Sequence, residues 1–242
     1  MKLLGYCLEF PVPVLVLENA KNGALNDQGG FGANEYLPWK IRLQVAKELA
    51  NALKYLHTAL SRPIIHRDIR PNSVFLDHDF VPKFSNFSLA ITDHNPSWPI
   101  SFYRYSEGGF VTYKIFSTNL LTNHLWYLDP TYKYSRSVMQ KSDVYSFSVF
   151  LLVLLAGERP MYDNWKIWET SVLNDKLTEI VDPKLSSEGG KDGKAQQIGS
   201  FLKLASACSQ KKSEARPDMI DVAKELMQIE KSLWFFLVII RK

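Results

Sequence analysis

A chain of 242 residues with 46% hydrophobic and 22% charged residues has an ordinary globular composition, long enough to bury a real core as one large or two modest domains. Its net charge of +4 comes from Lys and Arg scattered among Asp and Glu, with no basic arm, so no nucleic-acid partner is expected. The only cysteines, Cys7 and Cys208, are too few for a disulfide or metal framework and fit a reducing, cytoplasmic compartment.

The opening residues lack the sustained apolar core of a signal peptide. Two strand-like runs, Lys2 to Cys7 and Val12 to Leu17, enclose LEFPVP, whose prolines suit an edge or a turn. The glycines of NDQGGFGAN, residues 26 to 34, follow no strand and read as a plain loop. From Leu37 to about Ala59, apolar residues at Leu43, Ala46, Leu49, Ala50, Leu53 and Leu56 predict a long amphipathic helix with Pro38 near its first turn. Two loops follow, IIHRDIRPNSVFLD (64 to 77) and KFSNFSLA (83 to 90). Ile91 to Pro130 is rich in Ser, Asn, Tyr and Thr with little periodicity, which predicts a long, extended and functional loop.

KSDVYSFSVFLLVLLAGERP reads as a helix with Ser142 and Asp143 at its N-cap, buried on all sides, and stopped by Gly157 and Pro160. Helical patterns recur over 165–173, 196–208 and 219–233, joined by polar turns such as SSEGGKDGK. The apolar runs Val149 to Ala156 and Leu233 to Ile240 are far shorter than the roughly 20 residues of a membrane span. The second, followed by Arg241 and Lys242, keeps two readings: a terminal helix packed on the core, or an interfacial anchor.

His66-Arg67-Asp68, KFSNFS, WYLDPTY, KSDVYSFSVFLL and EARPDM occur in the order and spacing of the protein kinase signature set and span nearly the whole chain. The wording of LLGYCLEF, LPWKIRLQVAKELANALKYLH and KSDVYSFS resembles plant receptor-like kinases, especially the wall-associated-kinase-like group and the ZRK pseudokinases that act as adaptors for immune receptors. The resemblance implies an α+β, protein-kinase-like fold. A partial small lobe (1–19, a β hairpin and hinge) precedes a mainly helical large lobe (20–232) with its activation segment at about 86–131, and an apolar tail occupies 233–242.

Phosphoryl transfer requires a Gly-rich loop, a strand Lys, a helix Glu to hold it and two magnesium-holding side chains. The first three are lacking here: Leu17 stands at the gatekeeper position and Glu18-Asn19-Ala20 resemble the hinge facing an adenine, with no Gly-rich loop before them. By the same resemblance, Asp68 is the catalytic base, with Arg70 two residues on in the catalytic loop. The magnesium-binding Asn is replaced by Ser73, with Asn72 displaced by one, and the metal-loop Asp is replaced by Asn86, with Ser88 for its Gly. Losing carboxylate and amide ligands removes hard oxygens where triphosphate charge must be offset, so no metal site, and neither ATP nor magnesium, is expected unless residual kinase function persists. Phe75, between Val74 and Leu76, would floor an adenine, or serve simply as a core aromatic.

Substrate-side positions are altered as well. His124, Trp126 and Thr131 replace a hydroxyl residue, a glycine and a Glu, and that Glu would have paired with Arg216, which therefore needs another acceptor or water. The implied structural roles remain: His66 and Phe87 in an apolar stack tipped by Leu3, and Asp143 accepting backbone hydrogen bonds from the His-Arg-Asp turn. Arg67 could grip a phosphate on the activation segment, with Ser101, Tyr103 and Thr112 among the candidates, or be satisfied by carbonyls or a carboxylate.

Three readings follow. In the first, a pseudokinase presents kinase surfaces to other proteins, such as receptor-like kinases or an immune receptor, in the cytoplasm or at the inner face of the plasma membrane. The second is an ATP-binding Ser/Thr kinase of the receptor-like family represented by a truncated gene model. The third is a decaying gene whose product does not fold alone.

Overall fold

The computed structural model describes residues 2–10, 14–32, 35–92, 102–106, 109–113, 126–131, 139–160, 180–188 and 191–240, with backbone alone at 102–106, 109–113, 186, 191–192 and 233–240. The runs Leu-Leu-Gly-Tyr-Cys and Val-Leu-Val-Leu form antiparallel strands β1 (Leu3–Cys7) and β2 (Val14–Leu17), as their β-forming composition predicts. Among the described residues β1 pairs with β2 alone, so Leu4, Tyr6, Leu8, Leu15 and Val16 are left exposed.

Helix α1 (Trp39–Thr58) follows the periodicity closely, burying Leu43, Ala46, Leu49, Ala50 and Leu53. Pro38 occupies its N-cap without a side-chain acceptor, and the orphan amide of Trp39 is met from a distance by the Glu188 carboxylate at 3.2 Å. Two short pairings frame the loops that follow: β3 (Ile64–Ile65) with β6 (Ile91–Thr92), and β4 (Val74–Leu76) with β5 (Pro82–Phe84). Residues 22–25 lie along β4 as well, through Leu25 N to Val74 O at 2.9 Å and Leu76 N to Gly23 O at 2.8 Å, which ties the hinge segment to the loops.

The segment expected to be a long loop contains an antiparallel hairpin, β7 (Phe102–Ser106) and β8 (Gly109–Tyr113), in register from Phe102–Tyr113 to Ser106–Gly109. Phe-Tyr-Arg-Tyr and Phe-Val-Thr-Tyr on either side of Glu107-Gly108-Gly109 carry the aromatic, β-branched and turn composition of a hairpin, a signal outweighed by the polar content around it.

Helix α2 (Gln140–Ala156) is buried from Asp143 to Ala156 and forms the centre of the core. It begins earlier than expected: Met139 is the N-cap and Ser142 lies a turn inside, its hydroxyl accepting from the Met139 amide at 3.4 Å. Asp143 is therefore not a cap, because its carboxylate is turned toward the catalytic-loop amides. Gly157 ends the helix at φ 66, with Asp182 Oδ2 only 2.6 Å from where a Cβ would stand. Asp182 there caps the short α3 (Pro183–Ser187) through Lys184 N at 2.9 Å and receives Arg42 at 2.5 Å in a buried pair.

Helices α4 (Lys191–Cys208) and α5 (Met219–Ile240) complete the described body. Helix α4 begins inside SSEGGKDGK, so the last four residues of that stretch are helical rather than a turn. Gln197 joins three helices, accepting from Trp39 Nε1 at 2.9 Å and donating to Ile229 O at 2.6 Å. The backbone of α5 continues unbroken past position 233 to Ile240. The helical pattern at 165–173 lies outside the described residues. Cys208 is buried, and burial pushes its thiol up to about 12, so it stays protonated and inert at neutral pH.

Candidate functional site

The site is built where the turn 66–68 leaves β3 and the loop 85–90 leaves β5. Asp143, fully buried on the first turn of α2, accepts from His66 N and Arg67 N, each at 2.8 Å, and its Oδ2 lies 2.9 Å from His57 Nε2 on α1. This bonding holds Arg67 at φ 69, a left-handed conformation uncommon for a non-glycine residue.

His66 is buried against Phe87 and Phe84, with ring centroids at 4.6 and 4.9 Å. Its Nε2 donates to Ser85 O at 3.1 Å and its Nδ1 accepts from Asp68 N at 3.3 Å, the pattern of a neutral imidazole. Burial holds its pKa below the usual histidine value, against the opposing pull of Asp143 and Asp68. The stack is thus present at His66 and Phe87. Leu3, assigned to its tip, is instead 51% exposed on β1, because no further described strand closes over it.

Asp68 is 6% exposed and its oxygens are engaged by the chain itself. Arg70 Nε donates to Oδ1 at 2.7 Å and Nη2 to Oδ2 at 3.3 Å. Ser73 Oγ donates to Oδ2 at 3.2 Å and Asn86 Nδ2 to the same oxygen at 2.5 Å. The remaining Asn86 oxygen accepts from Ser88 Oγ at 2.8 Å. Asn86 sits at φ 58, ψ 55, a region Asn tolerates better than most residues. The two loops are further joined by Ser85 N to Ser73 O at 2.9 Å. Both residues that stand at family ligand positions, Ser73 and Asn86, therefore donate to Asp68, and Ser88, at the metal-loop Gly position, joins the network through Asn86.

A general base must offer a lone pair to a held substrate. Asp68 offers its lone pairs to a guanidinium, a hydroxyl and an amide. Magnesium requires several hard oxygens in near-octahedral array. Here the Asn86 amide turns its NH2 inward and its oxygen toward Ser88, so this donor set does not fit the ion. No cluster of three His, Cys, Asp or Glu side chains suited to a metal occurs among the described residues.

The hinge residues Glu18, Asn19 and Ala20, with Lys21, line an open cavity of about 590 Å³ faced by Asp77, His78 and Lys83. Phe75 lies half-buried on β4, bridged to Ala24, and Leu17 pairs with Leu3. Neither Phe75 nor Leu17 lines the cavity at the hinge. Tyr103 and Thr112 are partners across β7 and β8, whereas Ser101 and His124 lie outside the described residues.

Arg216 found its acceptor within the chain. It is buried, donating to Asp129 through Nη1 at 2.6 Å and Nη2 at 2.9 Å, to Gln210 O at 2.7 Å and to Lys141 O at 2.9 Å, over the Tyr145 ring. Asp129, two residues before Thr131, was not singled out in the sequence. Its place in WYLDPT beside the lost Glu position was the available signal. Burial works to raise the Asp129 pKa, but the hydrogen bonds from Arg216 and Thr131 outweigh it and hold the carboxyl below its usual range.

The fold and the His-Arg-Asp geometry define a protein kinase domain, and its sequence profile matches residues 1–234: the chain belongs to that family. It is 38% identical to Serine/threonine-protein kinase ZRK1 and 37% identical to Non-functional pseudokinase ZRK2 of Arabidopsis thaliana, over 96% and 95% of the chain. It is also 34% identical to Wall-associated receptor kinase-like 1 of the same plant, over 96% of the chain and 30% of that relative. The chain spans 65% and 63% of the lengths of ZRK1 and ZRK2. No described helix is long and apolar enough to cross a membrane.

Proposed function

We propose that this domain is a pseudokinase, a kinase fold without phosphotransfer that works by presenting its surfaces to other proteins. The observation that carries this reading is the closed network around Asp68, in which Arg70, Ser73 and Asn86 occupy the oxygens a substrate hydroxyl would need. Similarity to a relative named as a non-functional pseudokinase supports it. On the same resemblance, the partners are receptor-like kinases or an immune receptor in plant signalling, met in the cytoplasm, and neither ATP nor magnesium is needed. Modification of Ser101, Tyr103 or Thr112, with Arg67 gripping the added phosphate, is the switch attached to this reading.

One observation favours a second reading. Asp68 is retained in the sequence, and a relative 38% identical is named a serine/threonine-protein kinase, so an ATP-binding Ser/Thr kinase remains the alternative. Thermal melting with ATP, with and without magnesium, separates the two. A ligand bound only by the folded state at a hundredfold its Kd adds about 2.7 kcal/mol, roughly 5–10 °C for a domain of this size. The pseudokinase reading expects an unchanged midpoint in a cooperative melt. A magnesium-dependent rise would overturn it in favour of the kinase.

A further inference from the structure

The loop before α1, a plain connection by its sequence, borders a cleft in the structure. Asn26 Oδ1 accepts from the Gln28 and Gly30 amides, each at 3.0 Å, which fixes the orientation of the side-chain amide, since turning it over would set an NH2 against two N–H groups. Nδ2 is therefore turned away from them, and it is buried with no hydrogen-bond partner, the one side-chain nitrogen or oxygen in that state among the described residues. A buried donor left without an acceptor is costly, so its acceptor has to come from outside the chain.

The cleft measures about 40 Å³, opens to solvent, and is lined by Asn26 together with Tyr36, Arg42, Asp182 and Lys184. Arg42 and Lys184 stand over the Tyr36 ring, at 4.9 and 5.8 Å from its centroid. Arg42 is only 3% exposed, and three of its five N–H groups are spent on Leu37 O, Leu154 O and Asp182, so two have no described acceptor. Lys184 is exposed and makes no salt bridge to a described carboxylate. Two carboxylates also face the cleft. Asp182 is committed to Arg42 through Oδ2 at 2.5 Å and to Lys184 N through Oδ1 at 2.9 Å. Glu35 is exposed at the rim, where water screens it, with Oε1 at 3.9 Å from where a Gly32 Cβ would stand. Uncommitted donors thus outnumber uncommitted acceptors. The volume holds roughly three water positions, but each water brings two donors with its lone pairs, whereas a carboxylate of three heavy atoms brings lone pairs alone.

We propose that this cleft receives one carboxylate group from outside the chain, bound by Asn26 Nδ2, the uncommitted N–H groups of Arg42 and the Lys184 ammonium, with the rest of the ligand left in solvent. None of these residues belongs to the network around Asp68, so the inference is independent of whether the domain transfers phosphate. The test is a titration of the nitrogen-15-labelled full chain with sodium acetate, against sodium chloride at matched ionic strength, read at the Asn26 side-chain amide and the Gly30 backbone amide. Acetate should shift both saturably, in the millimolar range that so small a ligand allows, and chloride should shift neither. Lys184→Met, at an exposed position, should raise the acetate Kd about threefold or more with the melting midpoint unchanged. Asn26→Asp keeps the oxygen used by the Gln28 and Gly30 amides but sets a negative charge in place of the donor, so it should abolish the acetate shift at Gly30. Acetyl-trialanine with a free C-terminus, compared with its amidated form, separates the sources. Binding tighter than acetate assigns the carboxylate to a peptide, equal binding assigns it to a small free acid, and the amidated form should not bind. Three results would each overturn the proposal: no saturable shift in the unaltered chain, because water fills the cleft or Glu35 swings into it; an equal shift with chloride; or acetate binding that survives both variants.

Discussion

Asp68, a carboxylate only 6% exposed, is surrounded by donors from its own chain, whereas Tyr6 and Leu8, each 67% exposed, project from a hairpin with no core of its own. Polar groups are enclosed and satisfied in one region, and apolar groups are bare in the other. The difference teaches where the chain is self-sufficient. Around α2 the residues at the kinase catalytic and metal-loop positions form hydrogen-bonded links between loops. The β1–β2 hairpin keeps a strand pairing that, as two strands alone, is marginal in water.

The largest expected effect tests the enclosed side at its most buried ion pair. Arg216→Met removes the bidentate partner of Asp129 and should cost about 3–5 kcal/mol in urea unfolding at neutral pH, since it strands a buried carboxylate. The pH dependence follows from the depressed Asp129 pKa. A carboxyl held lower in the folded state than its unfolded value of about 3.9 contributes stability above that value and loses it as pH falls through the folded pKa. The gap between wild type and Arg216→Met should therefore narrow in acid. An unchanged gap would mean that packing, not charge, carries the effect. His66 acts at higher pH: its depressed pKa means stability is lost as pH drops below about 6.5, where the unfolded imidazole charges first.

Next in size come two substitutions, each expected to cost roughly 1–3 kcal/mol. Gly157→Ala forces a side chain into a φ of 66 and against Asp182 Oδ2, so it should loosen the Arg42–Asp182 pair along with the helix end, as thermal melting would read. Asn86→Asp restores the family's acidic residue but sets a second carboxylate where an amide now donates to Asp68 at 2.5 Å. Like charges raise one of the two pKa values above its unfolded value, so the loss should be greatest at neutral pH and shrink as pH falls and one oxygen is protonated. If magnesium then raises the midpoint of the variant and not of the wild type, the closed network is what excludes the ion.

Much of this was legible from residues whose partners are local or periodic. The three-and-four spacing of Leu43 to Leu53 gave α1, and the replaced ligands Ser73 and Asn86 could be counted from Asp68. Partners distant in sequence were legible only where the family resemblance implied them, as for Asp143 and the amides of His66 and Arg67. Asp129 meets Arg216 across 87 residues, and Glu188 meets the Trp39 amide across 149, pairings that depend on how helices pack and not on any local pattern. Nor does a count of lost ligands predict that their replacements would bond to Asp68, because that depends on which way the Asn86 amide turns. At the start of α2 the local rule misled, since Ser142 caps backward from inside the helix and Asp143 serves the turn at His66.

The smallest expected effect lies in the hairpin, and there a near-zero result is the informative one. Leu15 is 58% exposed on β2, opposite Tyr6, so Leu15→Ser removes little buried area and should change global stability by less than about 0.5 kcal/mol. The equivalent polar change at Phe150, fully buried in α2, should cost several times more. Amide exchange should show the same contrast, with the β1–β2 amides opening at a small fraction of the free energy that protects α2. A hairpin protected as strongly as α2, or a Leu15→Ser loss of about 2 kcal/mol or more, would show that its apolar faces are covered in solution.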